Sequence, residues 1–129
     1  MLFRSLAAAV VVASLALLPR VWNVPKQDFA AARDFALSAR AAGEPVLTVG
    51  LASFPYEAYY GGGFTPVDTR EALERELEAG REALVITTFP IYLRSRRPEI
   101  ARVLDERGEE IGRFRGSVGD GDVVVLRLR

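Results

Sequence analysis

Leu6 to Leu18 is a run of thirteen uncharged, mostly apolar residues near the amino terminus, and it limits what this chain can be. As an α-helix the run reaches about 20 Å, at roughly 1.5 Å per residue. The hydrocarbon core of a bilayer is about 30 Å thick. Arg4 and Arg20 flank the run, and snorkelling of both toward opposite interfaces stretches it to a marginal span. A signal peptide fits the length, with Arg4 as its basic start and the run as its apolar middle. Its cleavage end fits poorly, because Pro19, Arg20, Val21 and Trp22 follow with no small-x-small site. The other reading is the end of a truncated transmembrane helix that began upstream, with Trp22 as an interfacial anchor. The residues leave these two readings open and disfavour a soluble core helix.

Beyond residues 1–22 and a linker at 23–27, residues 28–129 are long enough for one domain with its own core. Asp28 is the expected cap of a helix to about Ala41, with Phe29, Ala32, Ala36 and Ala39 as its apolar stripe and Gly43 beyond its end. "EPVLTVGL" and "EALVITTF" read as strands buried on both faces, being short, apolar and rich in β-branched residues. Between them lie a short helix in "SFPYEAYYGGG" and a brief edge strand "FTPV". A helix from Asp68 to about Ala79 follows, with Asp68 and Glu71 as a capping box. Pro98 opens another helix, with Ile100, Val103 and Leu104 inward and Gly108 as its stop. "EEIGRFRGS" and "DVVVLRLR" form an expected hairpin turning at Asp120-Gly121. The pattern predicts an α/β fold: a three-layer, Rossmann-like domain with a mostly parallel sheet and a C-terminal antiparallel hairpin.

Composition removes several chemistries. Lysine plus arginine balances aspartate plus glutamate at 17 each, so no overall field favours nucleic acid. Cysteine and histidine are absent, which excludes disulfides, thiolate metal sites, cysteine nucleophiles and a Ser-His-Asp relay. "GGG" at 61–63 lacks the Lys-Ser/Thr of a phosphate loop, and "GDGD" at 119–122 lacks the oxygen ligands of a calcium loop; both read as turns. With no glycine fingerprint and no histidine, a standalone nucleotide-binding enzyme is disfavoured. "RSRR" at 94–97 offers charge to anionic headgroups, against the plainer reading of a solvated loop before a helix. In "FPYEAYY", Tyr56, Tyr59 and Tyr60 offer stacking surfaces for sugar rings or a membrane interface, and Glu57 offers a proton acceptor. The plainer reading has these aromatics packing the end of the first strand. Lys26 places a cation where the chain leaves the apolar segment. No glycosidase-type carboxylate pair stands out.

Taken in order, "PKQDF", "VGLASFPYEAYYGGG", "ITTFPIYLRSRRPEI" and "RFRGSVGDGDVVVLR" resemble the C-terminal end of bacterial polytopic membrane glycosyltransferases. The family is the protein-mannosyltransferase and aminoarabinose-transferase (GT-C) superfamily, and the resemblance covers the chain from the apolar run to Arg129. It implies a last membrane helix followed by an extracytoplasmic α/β domain, and so favours the truncated membrane helix over the signal peptide. It further implies an inner-membrane location with the domain periplasmic, and transfer of a sugar from a polyprenyl-phosphate donor bound by a membrane body. The family's catalytic acid lies in a first extracytoplasmic loop with no counterpart here, so this stretch carries no catalytic residue, and no metal or cofactor is assigned. Lys26, Tyr56, Glu57, Tyr59 and Tyr60 are the expected substrate-binding residues, and bilayer lipid is the expected partner, not nucleic acid. The competing expectation is a small secreted or membrane-anchored α/β binding domain.

Overall fold

The computed structural model describes residues 2–23, 25–77 and 81–129. It is an α/β fold with six helices and a five-stranded mixed sheet among those residues. The elements in chain order are α1 (Leu2–Asn23), α2 (Phe29–Ala39), β1 (Val46–Val49), a 3-10 turn (Gly50–Ala52), α3 (Ser53–Tyr59) and β2 (Thr65–Val67). They continue with α4 (Arg70–Leu77), β3 (Ala83–Thr88), α5 (Pro90–Arg96), α6 (Pro98–Arg107), β4 (Gly108–Phe114) and β5 (Val123–Leu128).

The strand order is β2-β1-β3-β5-β4. β1 pairs in parallel with β2 and β3, while β5 pairs antiparallel with β3 and β4. The sheet is therefore evenly mixed, not mostly parallel, because the last strand enters between β3 and β4 and makes both of its pairings antiparallel. β3 is buried along its whole length, and so is β1. Side chains alternate across a strand, and here the alternation feeds two cores. Leu47, Val49, Ala83, Val85 and Leu128 pack with Leu73 and Leu77 of α4, Leu93 of α5 and Ile100 and Leu104 of α6. Val46, Leu84, Ile86, Val123 and Val125 pack with Ala32 and Ala36 of α2 and Tyr56 of α3. The small alanines let α2 lie close on the sheet.

Several local expectations shift. Asp28 caps α2 as expected, accepting from the Ala31 N–H at 3.1 Å. The helix ends earlier than Ala41, at Ala39, because Arg40 turns extended and the Glu44 carboxylate takes the Ala41 N–H at 2.7 Å. β1 stops at Val49, since Gly50 has φ +64, a left-handed value that favours glycine. α4 is capped by Thr69, whose Oγ1 accepts from the Ala72 N–H at 3.2 Å, and not by Asp68. Its expected end at Ala79 lies outside the described residues. Arg94 to Arg96 are not a loop: Pro90 opens a helix, α5, that contains them. Proline suits that first turn because the position needs no N–H donor. The β4–β5 turn closes from the Gly121 N–H to the Val118 carbonyl at 2.7 Å, placing Gly119-Asp120 at its centre.

α1 is a 22-residue helix that includes Pro19. Val10, Val11, Val12, Leu15, Leu17, Leu18 and Trp22 on it are exposed. Among the described residues no helix is long and apolar enough to cross a membrane.

At the end of the sheet where β1 and β3 begin, the buried Glu44 carboxylate receives Arg127 of β5 at 3.4 Å as well as the Ala41 N–H, and Arg127 also donates to the Ala39 carbonyl at 2.9 Å. The trio fastens the end of α2 to the last strand. Glu44→Ala leaves the Ala41 N–H without its acceptor and Arg127 with only the Ala39 carbonyl and the more distant Glu82 carboxylate at 3.8 Å, so the unfolding free energy is expected to fall by about 1–3 kcal/mol, read as a lower urea midpoint at unchanged slope.

Candidate functional site

The expected binding residues separate in space. Tyr56 is fully buried and donates its hydroxyl to the Phe29 carbonyl at 2.8 Å. Its ring meets Phe29 edge-on at 5.7 Å and lies 4.7 Å from Phe64 and 5.3 Å from Tyr60. Burial pushes its phenol well above the usual tyrosine range. Tyr56 thus ties α3 to the start of α2 and is a core residue with no face free for stacking. Tyr60 is half-buried beneath the Arg33 guanidinium, 5.1 Å from its ring centre. Glu57 is exposed. Tyr59 is 75% exposed and packs edge-on against the exposed Phe54 at 6.1 Å, so those two rings carry the open aromatic surface of α3.

Lys26 lies in the linker between α1 and α2. The Pro25 and Lys26 carbonyls accept the Ser117 N–H at 3.1 and 3.2 Å. A Cβ at Gly116 would run into the Lys26 carbonyl, so the turn's backbone approaches the linker as closely as glycine allows. Gln27 donates to Thr88 Oγ1 at 2.9 Å, and that hydroxyl donates to the Asp122 carbonyl at 3.0 Å. The linker is therefore bonded to the end of β3 and the start of β5. Phe89, the next residue, has φ 51, the left-handed region that a bulky side chain adopts only under constraint. This strained link turns the chain abruptly from β3 into α5.

A second feature was not foreseen. A cleft of about 120 Å³ lies between α5, α6 and the β3–β5–β4 side of the sheet. Leu93, Leu104, Val124 and Leu126 give it an apolar floor, and Arg94, Asp105, Glu110 and Arg113 a charged rim. Thr87 lines it and is 6% exposed, and its Oγ1 has no hydrogen-bond partner. Arg94 pairs with Asp105 at 3.1 Å. Arg113 pairs with Glu110 at 2.6 Å and with Asp122 at 3.3 Å.

The Glu110–Arg113 pair exists because of a bulge. Residues three apart on a regular strand point to opposite faces. Glu110 opposes Leu126 while Gly112 opposes Val125, so Ile111 is an inserted residue that returns Arg113 to the face of Glu110. On the other face Ile111 joins the α2 core, and the Phe35 ring covers Gly112, leaving no room there for a Cβ. The local signal for the cleft was the change from apolar to threonine at the end of "ALVITT"; nothing in the strand pattern marked the bulge.

Chemically, the cleft offers one unmet hydroxyl over an apolar floor and a charge-balanced rim. Among the described residues no cluster of carboxylates is gathered for a metal ion. Compared with protein-family models, with curated proteins and with solved structures, the chain matches none.

Two expectations follow for the cleft. Arg113 hydrogen-bonds the Glu110 carboxyl, and the Gly116 N–H followed by Arg113 serves Asp122, so both carboxyls sit below their ordinary range. A depressed folded value stabilises the fold above the ordinary carboxylate pKa of about 4 and loses that contribution as pH falls below it. Urea midpoints measured from pH 5 to 2 should therefore fall less steeply for Arg113→Gln than for the native chain. Thr87→Val keeps the side chain's shape and removes the unmet hydroxyl, and should raise the unfolding free energy by about 1 kcal/mol. A loss of stability instead would show that the hydroxyl has a partner in solution.

Proposed function

We propose that this chain is the end of a membrane helix joined to the extracytoplasmic α/β domain of a bacterial membrane glycosyltransferase, and that its fold is a Rossmann-like, three-layer arrangement. In this reading the protein sits in the inner membrane with the domain periplasmic. A polyprenyl-phosphate sugar is bound by a membrane body, and the domain borders the donor or acceptor entrance without supplying the catalytic acid. The observation that carries the reading is α1, which presents exposed valines, leucines and Trp22 and leads directly into a linker held by the domain. In water that surface is unfavourable by about 25 cal/mol for each Å² left uncovered, and a hydrocarbon environment removes the penalty. The two cores on opposite sheet faces support the layered fold.

The role of the domain is the shaping of an entrance. Tyr59 and Phe54 present ring faces and edges suited to sugar or lipid, Tyr60 with Arg33 backs them, Glu57 stands beside them, and Lys26 supplies a cation for phosphate. The alternative reading, a small secreted or membrane-anchored α/β binding domain, draws on the cleft beneath α5 with its unmet Thr87 hydroxyl.

The DNA upstream of Met1 distinguishes the two. An open frame encoding further apolar helices supports the glycosyltransferase, and a ribosome site and control region directly ahead of Met1 overturn it. In the full-length enzyme, Tyr59→Ala combined with Tyr60→Ala is expected to lower sugar transfer at normal protein level. Unchanged transfer removes these tyrosines from the site.

A further inference from the structure

Outside α1, the exposed large apolar side chains among the described residues are Leu37, Leu51, Phe54, Tyr59, Ile91, Tyr92 and Val118. All but Leu37 gather at one end of the molecule. Leu51, Phe54 and Tyr59 lie in the segment that follows the carboxyl end of β1, and Ile91 and Tyr92 in the first turn of α5 after the carboxyl end of β3. Val118 lies in the β4–β5 turn, next to the start of β5. These segments are bonded together: the Ile91 N–H donates to Asp120 at 3.2 Å, and Leu93 closes on Gly50. Phe54, Tyr59 and Ile91 are each about two-thirds exposed or more, at 66%, 75% and 69%. Isolated exposed apolar residues are ordinary, but a shared patch of this kind marks a surface that meets something apolar.

The linker says what that is. α1 ends at Asn23, and the Pro25 carbonyl is held by the Ser117 N–H in the same turn as Val118. Two residues span at most about 7 Å, so the end of α1 is tethered beside the patch. The opposite end of the sheet, around Gly43, Glu44, Arg81, Glu82 and Arg129, is dominated by charge, and of the exposed large apolar side chains among the described residues it has only Leu37, near the end of α2.

We propose that the carboxyl end of the sheet lies against a phospholipid bilayer, with Phe54, Tyr59, Ile91 and Tyr92 inserted at the level of the headgroups and two exposed cations, Lys26 of the linker and Arg115 directly after β4, beside the phosphates. This rests on α1 lying in the membrane and adds that the domain itself is a second, direct lipid contact with one fixed face down. Aromatic side chains, tyrosine above all, favour that depth because the ring is apolar and the hydroxyl stays wet. Glu57 and Asp68 are exposed at the same end, so the attachment is apolar in origin and does not require anionic lipid.

The absence of cysteine makes the test direct, since each introduced thiol is unique. The full chain is reconstituted in phosphatidylcholine vesicles with a nitroxide at Phe54→Cys or Ile91→Cys, and with controls at Ala42→Cys and Glu106→Cys, all at exposed positions. Collision with oxygen, relative to a water-soluble nickel chelate, should be several-fold higher at 54 and 91 than at 42 and 106. Equal ratios at all sites, on a chain that floats with the vesicles, overturn the face-down contact and leave the α1 reading standing. A chain that does not float overturns both. Spin–spin broadening at 54 or 91 that dilution with unlabelled chain relieves assigns the patch to a second copy, and overturns the bilayer.

Discussion

β3 is the constraint on which the rest of this domain depends. All six of its residues are buried, and it is the strand at which the sheet changes from parallel to antiparallel pairing. Ala83 and Val85 supply the core beneath α4, α5 and α6, while Leu84 and Ile86 supply the core beneath α2 and α3. A one-residue slip of β3 would exchange the two sets, and neither core could be filled as it is. Its final residues carry the same logic to the end of the strand, with Thr87 facing the cleft and Thr88 joining the linker to β5.

The second device is the hairpin. By entering between β3 and β4, β5 brings Arg127 to the buried Glu44 and Asp122 to Arg113, pairs that join residues far apart and residues nearby into the same sheet. The bulge at Ile111 then lets one strand serve two purposes: Ile111 stays with the α2 core while Glu110 and Arg113 share the cleft face. The apolar end of the sheet and the charged end follow from this arrangement, because the loops after β1 and β3 and the β4–β5 turn all emerge on one side.

Much of this was readable along the chain. The buried strands 46–49 and 83–88, the edge strand at Pro66, the inward faces of α4 and α6 and the closing hairpin all follow from local periodicity and punctuation. The readings that shifted were decided by competition at close range: Thr69 in place of Asp68 at a cap, Glu44 ending α2 early, and Pro90 starting a helix through Arg94–Arg96 where a solvated loop was the plainer reading. The aromatic stretch shows why site residues are harder. Five consecutive positions at the end of α3 and its cap place one tyrosine in the core, one under an arginine and one in the open, because a helix turns each residue by about 100°, while the spelling "YEAYY" gives no hint of which direction is inward.

Which segments are apolar, where they must break and which chemistries lack their atoms are local properties, and the linear order of residues was enough to establish them. That order also marked the first helix as unlike the rest, since a run so apolar has no polar face to offer water. Where β5 inserts, how the Ile111 bulge re-aims Arg113, why Tyr56 is core and how six scattered apolar residues come to share one end of the sheet were matters of strand pairing between distant segments. Hydrophobic burial rewards any pairing that hides enough surface. The choice among such pairings is made by mutual packing of both faces at once, which no window of neighbouring residues contains.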